Sequence, residues 1–173
     1  MNILEKIIQH KKEEVKEKSR LTPLERIQGS QRLFAIRDFN SALCQNKMQI
    51  IAEIKKQSPS EGEIMPEANP AEIAVEYERN GASAISVLTD SHYFGGQLEY
   101  IQQVKNVVDI PVLRKDFIIS EYQIWESFQL GADAILLIAD AIDKELLISL
   151  NQLALELGLH VLIETHNSSH LSW

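Results

Sequence analysis

The chain has 173 residues, 45% of them hydrophobic and 24% charged, with a formal net charge of −8 and a pI near 5.1. This is a globular composition, and the length suits one domain that buries a core without disulfides or metal. The acidic balance argues against a nucleic-acid backbone or an anionic membrane surface as the main partner, but a small anionic ligand needs only a local cluster of cations and N–H groups. Cys44 is the single cysteine, so no intramolecular disulfide can form and a reducing compartment is expected. The first twenty residues are too charged for a secretory signal, and the longest strongly apolar run, Ala134 to Ala139, is far short of a membrane span. A soluble, cytoplasmic protein is expected.

Taken in order, residues 2–20 place Ile3, Leu4, Ile7, Ile8 and Val15 on one helical stripe among mixed Lys and Glu, which predicts an amphipathic helix lying on something larger. Thr22 and Pro23 read as the N-cap and first turn of a short helix through Gln28. Residues 29–48 carry no strong period and are expected to be a loop with short helical pieces. The resulting division is a helical extension over 1–48 and an α/β unit over 49–173.

From residue 49 strand-like runs centre on Ile51, Ile85, Val112, Ile135 and Leu162, with helical patterns at about 70–80, 97–107, 120–130 and 143–157. Strands alternating with helices predict parallel βα units. Gly81-Ala82-Ser83-Ala84-Ile85 is echoed by Gly131-Ala132-Asp133-Ala134-Ile135, and Gly158 leads into a third such strand. This repetition favours a (β/α) barrel. Two long, polar loops, Lys56–Asn69 and Thr89–Gly96, leave the strands' carboxyl ends, where barrels carry their chemistry.

Within Ile50–Ser60, IIAEIKKQSPS, the alternation of a strand puts Ile51, Glu53 and Lys55 on one face and Ile50, Ala52 and Ile54 on the other. Either both charges point into the core side, as a functional pair roughly 7 Å apart along the strand, or this is an edge strand with its charges in water. The stretch alone leaves both open. Lys115 ends the third strand in parity with Leu113, and Glu164 ends the fifth in parity with Leu162. Four ionisable groups at one barrel mouth would make an acid and base set. His166 and His170, four apart after Glu164, have a spacing that can bind zinc on a helix, but a polar tail is the better reading. His10, His92 and His160 read as surface or packing residues.

The segments IIAEIKKQSPSEG, AISVLTDSHYFGG, PVLRKDFIISEYQI, GADAILLIA and HVLIE closely resemble the indole-3-glycerol-phosphate synthase family of tryptophan biosynthesis. The resemblance implies a TIM (β/α)8-barrel with an N-terminal helical extension over its mouth. It implies a lyase that closes, decarboxylates and dehydrates 1-(2-carboxyphenylamino)-1-deoxyribulose 5-phosphate without metal or organic cofactor. Lys115 would be the general acid on the ribulose carbonyl and Glu164 the catalytic carboxylate. Glu53 and Lys55 would handle substrate charge and proton transfer in dehydration. Ser58, Pro59, Phe94, Phe117 and Leu136 match positions lining the aromatic-ring pocket, with ordinary packing as the alternative for the two Phe residues. The family's strands six to eight, with an Asn and Arg near the substrate and the loops that hold the phosphate, have no counterpart in these 173 residues. Five strands would leave strands one and five as open edges, strip Ile51, Leu113 and Leu162 of inner partners, and favour self-association. A catalytically incompetent barrel fragment is the rival to the enzyme reading.

Overall fold

The computed structural model describes residues 2–172. Helix α1 (Ile3–Leu21) starts at a capping box: the Asn2 side chain accepts from Glu5 N–H, and Glu5 reaches back to Asn2 N–H. It ends at Thr22, whose N–H bonds to the Lys18 carbonyl. Thr22 is thus the C-cap of α1, and Pro23 takes the N-cap position of α2 (Leu24–Gln28). The expected Thr22 cap is one residue early, because the chain has no spare residue between the two helices. The segment after α2 holds one further helix, α3 (Phe39–Leu43), capped by Asp38.

Strand β1 (Ile51–Ile54) is followed by a small hairpin of β2 (Gln57–Ser58) and β3 (Gly62–Glu63), which the sequence reading treats as plain loop. Then come α4 (Pro70–Arg79), β4 (Ala84–Leu88), α5 (Ser91–Phe94), α6 (Glu99–Lys105), β5 (Val112–Lys115), α7 (Glu121–Leu130), β6 (Ala134–Ile138), α8 (Lys144–Glu156), β7 (His160–Glu164) and a short 3-10 turn (Ser168–Ser172). The five main strands form one parallel sheet in the order β1-β4-β5-β6-β7. Consecutive strands pair with a helix between each, the arrangement of a (β/α) barrel's first five units. Each strand expected from hydrophobic runs is present. Helices α4, α7 and α8 lie within a residue or two of the expected spans, and α6 is shorter at both ends.

Outward-facing residues meet the helices. Ile54, Ile85 and Val87 pack with Ala74 of α4 and with Tyr100, Ile101 and Val104 of α6. Ile135 and Leu137 pack with Ile124 of α7 and with Leu147, Leu150 and Ala154 of α8. Inward-facing Ile51, Ala84, Leu113, Ala134 and Leu162 gather instead around Phe39 and Leu43. The expectation that Ile51, Leu113 and Leu162 lack inner partners is therefore wrong. Phe39, 2% exposed, fills the amino-terminal end of the arc, and Leu113 is as well covered. Fully burying such a ring contributes on the order of 1.5 to 3 kcal/mol, which is why α3 folds under the sheet. Among the described residues, strands β1 and β7 each pair on one side only, and Ile50, Ile163 and Met48 at these edges are exposed.

Two buried charge clusters link these layers. Asp133, at the entry to β6, binds Lys105 Nζ at 2.7 Å and accepts from the N–H groups of Val112 and Arg37, each at 2.8 Å. Arg114 faces outward from β5 and contacts Asp116, Glu126, Thr89 and Ser127. Among the described residues no helix is long and apolar enough to cross a membrane.

Candidate active site

At the carboxyl ends of the strands lies a pocket of about 340 Å³. Its charged lining comes from three strand ends: Glu53 in β1 and Lys55 directly after it, Lys115 from β5 and Glu164 from β7. The period of two that sends Leu113 inward also sends Lys115 inward, two residues further along the strand, and Leu162 carries Glu164 in the same way. Lys115 Nζ is 3.3 Å from Glu53 Oε2 and 3.8 Å from Glu164 Oε2. Lys55 Nζ is 3.7 Å from Glu53 Oε1 and 3.9 Å from Glu61. Each of the four side chains is about a third exposed. They are wet enough to meet a solute and close enough to exchange protons with it. The edge-strand reading of Glu53 and Lys55 fails on this geometry: β1 is an edge, but both charges face the arc's interior.

Phe94, at the end of α5, and Phe117, just after β5, form the aromatic wall, with ring centroids 5.9 Å apart. Leu136 lies in a small apolar cavity of about 30 Å³ behind them, shared with Leu88 and Ile138. Ser58 and Pro59 are not brought into the lining. Ser58 is buried in the β2–β3 hairpin, where its hydroxyl accepts from Glu61 N–H at 3.1 Å, and Pro59 is exposed at the turn.

Several lining residues escape sequence reasoning. Ile3, Leu4 and Ile7 of α1 roof the pocket, so the apolar stripe of that helix covers the mouth. Ile3 lines this space and is 53% exposed. His166 lines the rim with Nε2 3.3 Å from Glu164 Oε1, while His170 turns to Asp140 at 3.5 Å. The stripe in α1 signals a buried face, but nothing in it says which end of the sheet it covers. His10 stacks on His92 with centroids 4.3 Å apart, tying α1 to α5.

Beneath the aromatic wall, burial acts to raise the pKa of Asp116. The charges of Arg114 and Lys11 and the hydrogen bonds from Thr89 and Arg114 outweigh it, holding the carboxyl far below the usual range. Burial likewise pulls the Lys11 ammonium down, and Asp116, Asp90 and Glu14 reverse this, leaving it above the ordinary lysine value. Both groups are therefore charged at neutral pH.

Parallel strands wrapped by helices, with acid and base groups at their carboxyl ends under an N-terminal helix, define a protein of the (β/α)-barrel class. The family model for indole-3-glycerol phosphate synthase matches residues 4–173. The chain belongs to that family, which is one of enzymes. The indole-3-glycerol phosphate synthase of Alkaliphilus metalliredigens is 46% identical over 171 residues, covering 98% of this chain and 66% of its own. That of Aliarcobacter butzleri is 50% identical over 137 residues, 79% of this chain and 52% of its own. That of Bacteroides thetaiotaomicron is 44% identical over 173 residues, 99% of this chain and 66% of its own. The chain thus spans 52 to 66% of the length of these relatives.

Proposed function

We propose that the chain carries the acid and base half of an indole-3-glycerol phosphate synthase. Its substrate would be 1-(2-carboxyphenylamino)-1-deoxyribulose 5-phosphate, a phosphorylated small molecule, and its setting the cytoplasm. The observation that carries this is Lys115 standing between Glu53 and Glu164 beside a pair of phenylalanines. A flat aromatic ring fits the space between Phe94, Phe117 and the apolar side chains of α1. The Lys115 ammonium then meets the ribulose carbonyl. It donates a proton as the ring carbon attacks, so that the developing oxyanion is neutralised where it forms. Loss of carbon dioxide restores the bond electrons to the ring. Glu164 accepts or returns the proton that ring closure and dehydration move. Lys55 protonates the departing hydroxyl, with Glu53 holding both lysines in place. No step calls on a metal or an organic cofactor.

The rival reading, an inactive fragment that self-associates through the edges of β1 and β7, finds no support in what the relatives are called. The test is turnover of the carboxyphenylamino-deoxyribulose phosphate by this chain, followed by indole fluorescence. Lys115→Ala should lower the rate by about 100-fold or more, the usual contribution of a positioned general acid. Equal rates in the folded parent and the variant would remove Lys115 from the chemistry.

A further inference from the structure

A buried polar cluster outside the acid and base set joins α1 to the two loops that carry the aromatic wall. Lys11 is 1% exposed, one turn beyond Ile7 on the same face of α1. Its ammonium meets three carboxylates: Glu14 Oε2 at 2.7 Å, Asp90 Oδ2 at 2.9 Å and Asp116 Oδ1 at 3.0 Å. Asp90 is fully buried and caps α5, its Oδ1 accepting from Tyr93 N–H at 2.7 Å, and α5 ends in Phe94. Asp116 Oδ1 also accepts from Phe117 N–H at 2.8 Å, while its Oδ2 receives the Thr89 hydroxyl at 2.6 Å and Arg114 Nη2 at 2.9 Å. Asp116 directly follows Lys115. One ammonium therefore ties the helix that roofs the pocket, the helix that carries Phe94, and the residues on either side of Asp116.

Burying an ammonium costs several kcal/mol of desolvation, and apolar side chains of similar volume commonly hold two elements together as well. What the apolar alternative lacks is direction. The contacts of Lys11 end on the carboxylates next to pocket residues, where a shift of about 1 Å is enough to misplace a bound ring. We propose that Lys11 is a positioning residue: by gripping Asp90 and Asp116 it fixes Phe94, Phe117 and Lys115 relative to one another, and it makes α1 part of the binding site for a ring-bearing carboxylate. The ligand class rests on the function proposed above.

The test uses the 173-residue chain, its Lys11→Met and Asp90→Asn variants and the double variant; Asn keeps the α5 cap but not the charge. The probe is 2-aminobenzoate, titrated by its own fluorescence, together with amide hydrogen exchange. Lys11→Met should raise Kd about tenfold, the loss of roughly 1.4 kcal/mol. It should also speed exchange at Phe117 N–H and in α5 while leaving β6 unchanged. The double variant should bind no worse than Lys11→Met, because both changes break one tie. The proposal fails if Lys11→Met binds within twofold of the parent, if the two effects multiply, or if exchange rises equally in β6, which would show general loosening. A parent chain that does not bind 2-aminobenzoate would overturn the ring-pocket assignment, and the exchange comparison would then decide on Lys11 alone.

Discussion

Lys115 separates two carboxylates that would otherwise face each other across the arc. Its distances of 3.3 and 3.8 Å to Glu53 and Glu164 leave it shared between them. The loop opposite depends on a residue with no side chain. A Cβ on Gly96 would lie 2.3 Å from the Leu88 carbonyl oxygen and 2.8 Å from Thr89 Cα, both backbone atoms that cannot swing aside. Gly96→Ala should therefore cost about 1 to 3 kcal/mol, the range for forcing atoms into filled space. It should also displace Phe94, two residues earlier. Urea denaturation checks the first, and an unchanged midpoint would show that the loop has room to shift. Neither Gly96 nor Ser58 is legible from spacing: one is fixed by approach to β4, the other by a hairpin with only two residue pairs.

At the scale of elements, the repeated Gly-Ala-x-Ala-Ile segments look alike in sequence but carry different weight. Gly81 and Gly131 both have positive φ, 90° and 91°, and both turn the chain from a helix into a buried strand. The middle residue differs. Ser83 donates to the Gln49 side chain at a half-buried position. Asp133 is wholly buried and satisfies Lys105 and two backbone N–H groups. Asp133→Ala leaves the Lys105 ammonium without its carboxylate and should cost about 3 to 5 kcal/mol, as breaking a buried pair does. Ser83→Ala should cost only about 1 kcal/mol, the worth of one hydrogen bond. Thermal or denaturant unfolding of the two variants checks the contrast, and equal losses would contradict it. The echo is visible in the sequence, but the weight of the Ser-to-Asp difference depends on Lys105, 28 residues away.

For the whole molecule, the buried pair of Lys11 and Asp116 sets a pH signature. The folded-state pKa of Asp116 is depressed, so its contribution is present above the unfolded value of about 3.9 and is lost as pH falls toward the lower folded value. The folded-state pKa of Lys11 is raised, so its contribution is complete below the unfolded value of about 10.4 and is lost as pH rises through the higher folded one. The unfolding free-energy difference between the parent and Lys11→Met should stay level from about pH 6 to 10 and shrink above that. A difference that already shrinks between pH 7 and 9 would mean that another group controls the tie. The same cluster joins the roof helix to the loops after β4 and β5, while among the described residues β1 and β7 pair on one side only.

Local periodicity determined much of this protein by itself. Runs of Ile, Val and Leu, three of them with Gly leading in, dictated five strands, and parity put Glu53 and Lys55 with Ile51, Lys115 with Leu113 and Glu164 with Leu162, because a strand's side chains alternate whatever surrounds it. The resemblance carried by Ile50–Gly62 and Pro111–Ile124 named the family before any contact was known. Only the tertiary structure decided that Phe39 plugs the arc, which side chains of α1 line the pocket, and that Lys11 lies buried among carboxylates from other loops. Those outcomes depend on which surfaces meet after the chain has folded back on itself. A lysine on an amphipathic helix looks the same in sequence whether its ammonium ends in water or against Asp90 and Asp116.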